Sequence, residues 1–212
     1  METVSPASRE SNPSHLDKSS LNPNPLLQFE AWFKTAQSLE TAMPEAMTLA
    51  TATLAGQPSA RIVLMRGLNA ESIIFYTNYQ SRKGEELAQN QAAAAVFWWP
   101  NSKRQVRFEG IIEKVEAAIS DAYFNNRPRG HRISTWVSHQ SQPVANRQDL
   151  ETRTIEIEAT YEGQDVPRPP YWGGYRLTPH TMEFWQNSAN RLHHRFRYKR
   201  DDDGWMIERL AP

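Results

Sequence analysis

The spacing of apolar residues first becomes regular at Pro25, where it predicts a helix. Leu26, Phe29, Phe33 and Ala36 follow one another three or four positions apart, which is the spacing of one face of an α-helix. Pro25 suits the first helical turn, since a backbone N–H has no partner there. We therefore expect an amphipathic helix that covers a core with this face.

Short runs rich in β-branched and aromatic residues follow this helix and predict strands. MTLATATL and SARIVLMR flank a turn signal at residues 55–58, and SIIFYTN comes shortly afterwards. AAAVFWW and RQVRFEGIIEKV flank a second turn signal at residues 100–103. Between the two pairs, SRKGEELAQN begins with Ser81 as a helix N-cap. We expect two antiparallel hairpins with a helix between them.

The second half of the chain mixes predicted helices and strands. AAISDAYFNN and NRQDLETRTIEIEATYEGQ predict helices, and three prolines between residues 167 and 170 form a stiff connector. WGGYRLT, TMEFWQ, RFRYKR and GWMIERL predict strands, with the last turn at residues 201–204. The βαβ alternation of a parallel sheet is missing, so we predict an antiparallel barrel, mainly β, with accessory helices.

Residues 1–24 differ in composition from the rest of the chain. They hold six Ser, several Pro and Asn, and almost no apolar periodicity. Such a segment buries too little apolar surface to offset its ordering entropy, and we expect a mobile arm. Residues 25–212 are then expected to form a single domain.

Charge and composition exclude several classes of protein. The 24 basic residues balance the 24 acidic ones, whereas binders of nucleic acids or anionic membranes usually carry a basic surplus. There is no cysteine, which excludes disulfides, thiolate metal sites and cysteine nucleophiles. The longest apolar run, residues 92–99, is too short to span a bilayer, and the Ser-rich start lacks the apolar stretch of a signal peptide. We expect a cytoplasmic protein with no membrane or nucleic-acid partner.

Common catalytic motifs are missing from the sequence. It contains no G-x-G-x-x-G, no Walker lysine loop, no H-E-x-x-H and no G-x-S-x-G. Only His193 and His194 are close in sequence, and neighbours on a strand point to opposite faces. We therefore expect no metal site.

Arginine-rich segments carry the remaining chemical signal, since 18 of the 24 basic residues are Arg. Arg suits the two-pronged binding of phosphate or carboxylate. Ser81, Arg82 and Lys83 stand where a helix begins and form a candidate phosphate cradle. An N-cap followed by solvated charges explains the same residues. Likewise, RIVLMR, with Arg61 and Arg66, also fits a barrel strand with charged ends.

The densest segment covers residues 183–200, EFWQNSANRLHHRFRYKR. If it is a strand, Arg191, His193 and Arg195 share one face. Three potential cations side by side repel one another unless an anion lies between them, which favours an anionic ligand. A basic edge strand that prevents aggregation is one alternative. RNA binding through alternating aromatic and basic residues is another, although the neutral net charge opposes it.

The order of these segments resembles the pyridoxine/pyridoxamine 5'-phosphate oxidase family, FMN enzymes with a homodimeric split β-barrel. The resemblance covers residues 24–212, and its most specific part is E-F-W-Q-x4-R-L-H-x-R, residues 183–195. RIVLMR, FYTN, SRK, RQV, YFNNRPR, WVSHQS and YWGGYR follow in the family's order. The resemblance implies oxidation of B6 phosphates to pyridoxal 5'-phosphate with O2, and FMN at the dimer interface.

The resemblance also assigns roles to individual residues. The implied FMN contacts are Arg61, Ile62, Val63, Leu64, Arg66, Tyr76, Thr77, Arg82, Lys83, Gln105, Gln140, Ser141, Trp185 and Arg195. The implied contacts to the substrate are Arg66, Tyr123, Arg127, His131, Arg191 and His193. Arg191 and His193 are the implied catalytic pair, which positions the ring and its reacting carbon.

Three positions depart from the family's usual residues. Arg66 stands in place of Lys, His131 in place of a small hydroxyl residue, and His194 in place of an acid. These departures keep two alternatives open: a related flavin oxidase acting on another ring, such as a phenazine, and a non-enzymatic binder of pyridoxal phosphate or RNA.

Overall fold

The computed structural model describes residues 16–40 and 42–212, and within these ranges it contains five α-helices and nine strands. The helices are α1 (Pro25–Leu39), α2 (Arg82–Gln89), α3 (Ala117–Asn125), α4 (Arg129–Val137) and α5 (Arg147–Thr160). The strands are β1 (Ala46–Ala52), β2 (Pro58–Leu64), β3 (Gly67–Leu68), β4 (Ile73–Asn78), β5 (Ala92–Trp99), β6 (Arg104–Lys114), β7 (Trp172–Gln186), β8 (His194–Asp201) and β9 (Gly204–Arg209). No helix of the described ranges is long and apolar enough to cross a membrane.

All strand pairs of the described chain are antiparallel and belong to one sheet. The main path runs β2-β1-β5-β6-β7-β4-β3, and β8 and β9 extend from β7. Strand β7 pairs with β4 through its first half and with β8 through its second half, while β6 runs along its other side. The sheet therefore divides at β7. Both predicted hairpins, β1–β2 and β5–β6, are confirmed.

β7 is one continuous strand of 15 residues, whereas the sequence predicted two strands separated near Pro179. The proline lies at a β-bulge, where the register of β6 against β7 shifts between Glu109 and Gly110. A Cβ on Gly110 would lie 2.1 Å from the Thr178 carbonyl oxygen, so only glycine allows this close approach. Because a bulge tolerates the missing N–H of proline, the strand continues.

Helix α1 covers the core as its apolar spacing predicts. Leu26, Phe29 and Ala36 are buried, and Phe33 packs beside them. The ring of Phe29 lies 4.9 Å from those of both Phe97 and Phe108, measured between centroids. Asn24 caps the helix by accepting a hydrogen bond from the Leu26 backbone N–H at 2.8 Å. The helix thereby covers the main core with its apolar face.

The prediction of a mobile arm over residues 1–24 is wrong for residues 16–24, which pack against the domain. Leu16 and Leu21 are buried in the main core, and Asp17 caps a short 3-10 turn, Lys18–Ser20. The Tyr198 hydroxyl donates to a carbonyl of this segment at 2.8 Å. Residues 16–24 therefore pack with the domain, because two leucines supply apolar area that the Ser-rich composition hides. Residues 1–15 of the predicted arm lie outside the described residues.

Candidate active site

A hydrogen-bonded cluster joins strand β2 to the start of helix α2. The Arg61 side chain donates to the Thr51 hydroxyl at 2.6 Å and to the Ser59 hydroxyl. The Arg82 Nε donates to the Glu86 carboxylate at 2.9 Å, and the Arg61 Nη2 lies 3.5 Å from the same carboxylate. The structure therefore brings together two of the arginines that the sequence assigned to the cofactor.

Lys83 is the most deeply buried cation of the predicted site, with only 8% of the residue exposed. Its ammonium donates to three neutral oxygens: Thr77 Oγ1 at 3.0 Å, Ser81 Oγ at 3.2 Å and Gln140 Oε1 at 2.7 Å. Burial, helped by the charge of Arg61, lowers the pKa of Lys83 to about 8. Ser81 caps α2, as predicted, by accepting from the Gly84 N–H. This arrangement is electropositive and lacks a carboxylate bonded to the lysine.

An aromatic stack connects the predicted cofactor and substrate residues. The rings of Tyr76 and Tyr123 lie parallel, with centroids 3.7 Å apart, and Trp172 stacks beside both. The Arg127 guanidinium lies 4.7 Å from the centroid of Trp172 and donates to the Thr135 hydroxyl at 2.7 Å. Burial lowers the pKa of Arg127. A second cation is therefore held in one orientation beside the stack.

A third group of predicted residues lies at neighbouring positions on β6, β7 and β8. Gln105 pairs with Trp185, which pairs in turn with Arg195. The Arg195 Nε donates to the buried Glu183 carboxylate at 2.7 Å, and this bond raises the pKa of Arg195. The His193 ring lies 4.6 Å from the Trp185 ring, between centroids. These residues lie on β6, β7 and β8 or next to them, and thus in a different part of the sheet from the β2–α2 cluster.

The prediction that Arg191, His193 and Arg195 share one face of a strand is wrong. Strand β8 begins only at His194, and Arg191 ends a 3-10 turn in which it and Asn190 have φ values of 61° and 55°. These left-handed residues break the alternation that a strand would impose. His193 instead accepts a hydrogen bond at Nδ1 from the Ser188 N–H at 3.3 Å.

The remaining predicted residues lie outside these three groups, and several of them are exposed to solvent. Arg66 forms an ion pair with Glu45 at 3.3 Å, and His131 is exposed in the first turn of α4. Ile62, Val63 and Leu64 lie on β2, where Ile62 is 64% exposed and Val63 packs against the core. Ser141 has a φ of 72° in the loop that also carries Gln140.

A cavity of about 350 Å³ adjoins the predicted catalytic histidine. It is lined by Leu192, His193, His194, Arg209, Leu210, Ala211 and Pro212. The Arg195 side chain fixes one wall by donating to the Ala211 carbonyl at 2.9 Å. The last residues of the chain thus shape the space beside His193.

Sequence reasoning missed three buried residues that contact the predicted arginines: Glu86, Thr135 and Glu183. Glu86 bonds Arg82, Thr135 bonds Arg127, and Glu183 bonds Arg195. The signal available for Glu86 was its position four residues after Arg82 on a helix, a spacing that allows an ion pair. Glu183 begins the E-F-W-Q motif but was given no role, and Thr135 had no such local signal.

Two models of known protein families match most of this chain. Residues 34–161 match the family described as "Pyridoxamine 5'-phosphate oxidase". Residues 172–212 match the "Pyridoxine 5'-phosphate oxidase C-terminal dimerisation region". The second match contains β7, β8 and β9 and supports the predicted homodimer.

Curated relatives are similar over almost their whole length. A pyridoxine/pyridoxamine 5'-phosphate oxidase of Acaryochloris marina is 48% identical over 210 residues, which are 99% of this chain and 96% of the relative. One from Burkholderia thailandensis is 52% identical over 200 residues, 93% of each chain. The prediction of an oxidoreductase is confirmed, and with it the non-enzymatic alternative is set aside.

Solved structures support the same conclusion. PhzG from Burkholderia lata, solved with tetrahydrophenazine-1-carboxylic acid, has a TM-score of 0.88 and 33% identity, covering 94% of this chain and 98% of its own. An FMN-binding protein related to pyridoxamine 5'-phosphate oxidase from Nostoc punctiforme shares the fold, with a TM-score of 0.71 and 18% identity over 89% of this chain and 98% of its own. The predicted split β-barrel is confirmed. This chain therefore belongs to the pyridoxine/pyridoxamine 5'-phosphate oxidase family.

Proposed function

We propose that this protein oxidises pyridoxamine 5'-phosphate and pyridoxine 5'-phosphate to pyridoxal 5'-phosphate, with FMN as cofactor and O2 as acceptor. Pyridoxine 5'-phosphate loses two hydrogen atoms, which O2 takes up as H2O2; the amine substrate also consumes water and releases ammonia. FMN supplies the two-electron redox chemistry when bound, and the protein supplies binding and orientation.

The observation that carries the proposal is the environment of Lys83. Family membership supports FMN as the cofactor. The buried Lys83 ammonium is bonded to three neutral oxygens, and a bound anion would offset the cost of burying its charge. Arg61 and Arg82 lie on the adjoining cluster. These residues fit the phosphate of FMN, and Lys83, Arg61 and Arg82 would hold it.

A second cation site supports a second phosphorylated ligand. Arg127 lies against Trp172, which stacks beside the Tyr76–Tyr123 pair. Lys83 instead bonds Thr77 on strand β4. Its guanidinium bonds a neutral hydroxyl and no carboxylate among the described residues. In our proposal Arg127 and Tyr123 bind the phosphate of the B6 substrate, with His131 and Arg66 as further donors.

His193 and Arg191 orient the substrate ring in this proposal. Because His193 Nδ1 accepts from a backbone N–H, the neutral imidazole carries its proton on Nε2 and offers that proton to the substrate. Arg191 is exposed beside it and supplies a guanidinium to the same ligand. The two side chains hold the reacting carbon in place, which is the main protein contribution to such a transfer.

The dimer completes the site in our proposal. Gln105, Trp185 and Arg195 lie on the dimerisation region or its neighbour β6, away from the β2–α2 cluster of the same protomer. One protomer would contribute Arg61, Lys83 and Tyr76, and its partner would contribute the β6–β8 residues. FMN then lies between the two subunits.

A phenazine-type substrate is the second candidate, because PhzG resembles this chain over most of its length. The B6 phosphates are favoured by the two separate cation sites, since each suits a phosphate dianion. Oxygen consumption with pyridoxine 5'-phosphate, unphosphorylated pyridoxine and tetrahydrophenazine-1-carboxylic acid distinguishes the candidates. We expect turnover only with the B6 phosphates, together with stoichiometric H2O2. Turnover of the phenazine alone would refute the proposal.

A further inference from the structure

Glu86 is a buried carboxylate at the centre of a predicted anion site, where a negative charge is unexpected. Only 5% of the residue is exposed. One carboxylate oxygen accepts from the Ser59 hydroxyl at 2.6 Å and from the Thr51 hydroxyl, and the other accepts from Arg82. Burial alone would raise the pKa of Glu86, but the bonds from Ser59, Thr51 and Arg82 lower it to about 2. The carboxylate is therefore ionised at neutral pH.

We propose that Glu86 is a positioning residue that orients the Arg61 and Arg82 guanidinium groups for the phosphate of FMN. This inference rests on the proposed function. Arg61 comes from strand β2 and Arg82 from helix α2, and the carboxylate bridges the two elements with one oxygen toward each. Glu86 also accepts from the Thr51 and Ser59 hydroxyls, to which Arg61 donates. Without Glu86, Arg82 would lose its acceptor and these two hydroxyls would lose their orientation. Both arginines would then gain rotamer freedom that binding must remove.

The net charge of the cluster is consistent with this role. Arg61, Arg82 and Lys83 contribute three positive charges, and Glu86 removes one of them. The remaining charge of about +2 matches a phosphate monoester, which carries about −1.5 to −2 at neutral pH. Glu86 therefore orders the arginines and still leaves enough positive charge for the phosphate.

A purely electrostatic role for Glu86 predicts the opposite result. If the arginines held their orientation without it, removing the carboxylate would raise the positive charge and tighten phosphate binding. A positioning role predicts weaker binding, because Arg82 loses its acceptor and Arg61 loses its ion-pair partner. The sign of the change in FMN affinity therefore separates the two explanations.

The test compares FMN with riboflavin, which lacks the phosphate, in fluorescence titrations of the full chain stripped of flavin. We expect Glu86→Ala to weaken FMN binding about 10- to 100-fold and to leave riboflavin binding unchanged. The nearly isosteric Glu86→Gln keeps one acceptor oxygen and should lose less. Glu85→Gln, an exposed neighbour on the same helix, is the matched control and should bind both flavins normally.

Equal or tighter FMN binding by Glu86→Ala and Glu86→Gln would overturn the positioning role. An equal loss for FMN and riboflavin in the near-isosteric Glu86→Gln would also overturn it, because the effect would then not involve the phosphate. If the unsubstituted protein itself bound FMN no better than riboflavin, the proposed function would fail first. The two failures are therefore distinguishable.

Discussion

The phenol rings of Tyr76 and Tyr123 stack in parallel, with centroids 3.7 Å apart and an angle of 6° between their planes. Tyr76 belongs to strand β4 and to the predicted cofactor contacts, whereas Tyr123 belongs to helix α3 and to the predicted substrate contacts. Trp172 stacks beside both rings. One packed aromatic unit therefore joins a predicted cofactor contact to a predicted substrate contact.

The hydroxyl of Thr135 should set the affinity for the phosphorylated substrate. It accepts from Arg127 at 2.7 Å and is almost fully buried. Thr135→Val keeps the shape and removes the acceptor, so we expect KM for pyridoxine 5'-phosphate to rise about 5- to 20-fold with little change in kcat. Ser134→Ala is the control, since Ser134 bonds the same His131 carbonyl but not Arg127. An unchanged KM for Thr135→Val would exclude the role.

FMN affinity should fall as the pH rises through about 8, the lowered pKa of Lys83. Below that pH the ammonium is charged and attracts the phosphate. Above it the free protein has lost the proton, and binding must take one up, so affinity falls by up to about tenfold per pH unit. Titrations between pH 7 and 9 measure this dependence. Lys83→Met should bind FMN weakly and with a flat profile, and a profile like that of the unsubstituted protein would contradict this.

Arg191 and His193 should be needed for turnover but not for the cofactor. In the double variant Arg191→Met with His193→Asn, we expect FMN to be retained, because the β2–α2 cluster is untouched. Turnover should fall by about 100-fold or more, since the substrate ring loses both orienting groups. The flavin absorbance of the purified variant and its rate of H2O2 production are the two measurements. Normal turnover would refute the assigned roles.

Gly84 should be required for the geometry of the first turn of α2, which carries the proposed phosphate contacts Arg82 and Lys83. A Cβ there would lie 2.1 Å from the Tyr79 carbonyl oxygen. Because this oxygen belongs to the backbone, it cannot move aside as the end of a flexible side chain could. We expect Gly84→Ala to lower the free energy of unfolding by about 1–3 kcal/mol and to weaken FMN binding. Gly130→Ala is the control, because nothing lies within 4 Å of its Cβ position. Denaturant unfolding of both variants compares them directly; equal stability would count against the close approach.

Regular local patterns made much of the fold predictable. The three-to-four spacing of α1, the hairpins around 55–58 and 100–103, and the Ser81 cap each depend on neighbouring residues, and the structure contains all of them. Helix α4 (Arg129–Val137) was missed, because it follows Pro128 without a side-chain cap. Pro179 also misled the prediction, since its bulge depends on Gly110 of another strand.

The candidate site was predictable only in part, because contacts between residues distant in sequence leave no local pattern. Arginine-rich segments indicated anion binding, but the partners that orient the arginines come from distant parts of the chain. Glu86 contacts Ser59 and Thr51 across long sequence separations, and Glu183 contacts Arg195 across a strand pair. The left-handed residues Asn190 and Arg191 similarly broke a strand pattern that periodicity alone would continue.

The most direct test of the account is the flavin absorption spectrum of the FMN-loaded protein before and after anaerobic addition of pyridoxine 5'-phosphate. We predict that the oxidised flavin band bleaches, that one equivalent of pyridoxal 5'-phosphate forms per flavin, and that admitting O2 restores the band with release of H2O2. A flavin that stays oxidised with both B6 phosphates, yet bleaches with tetrahydrophenazine-1-carboxylic acid, would contradict the proposed function.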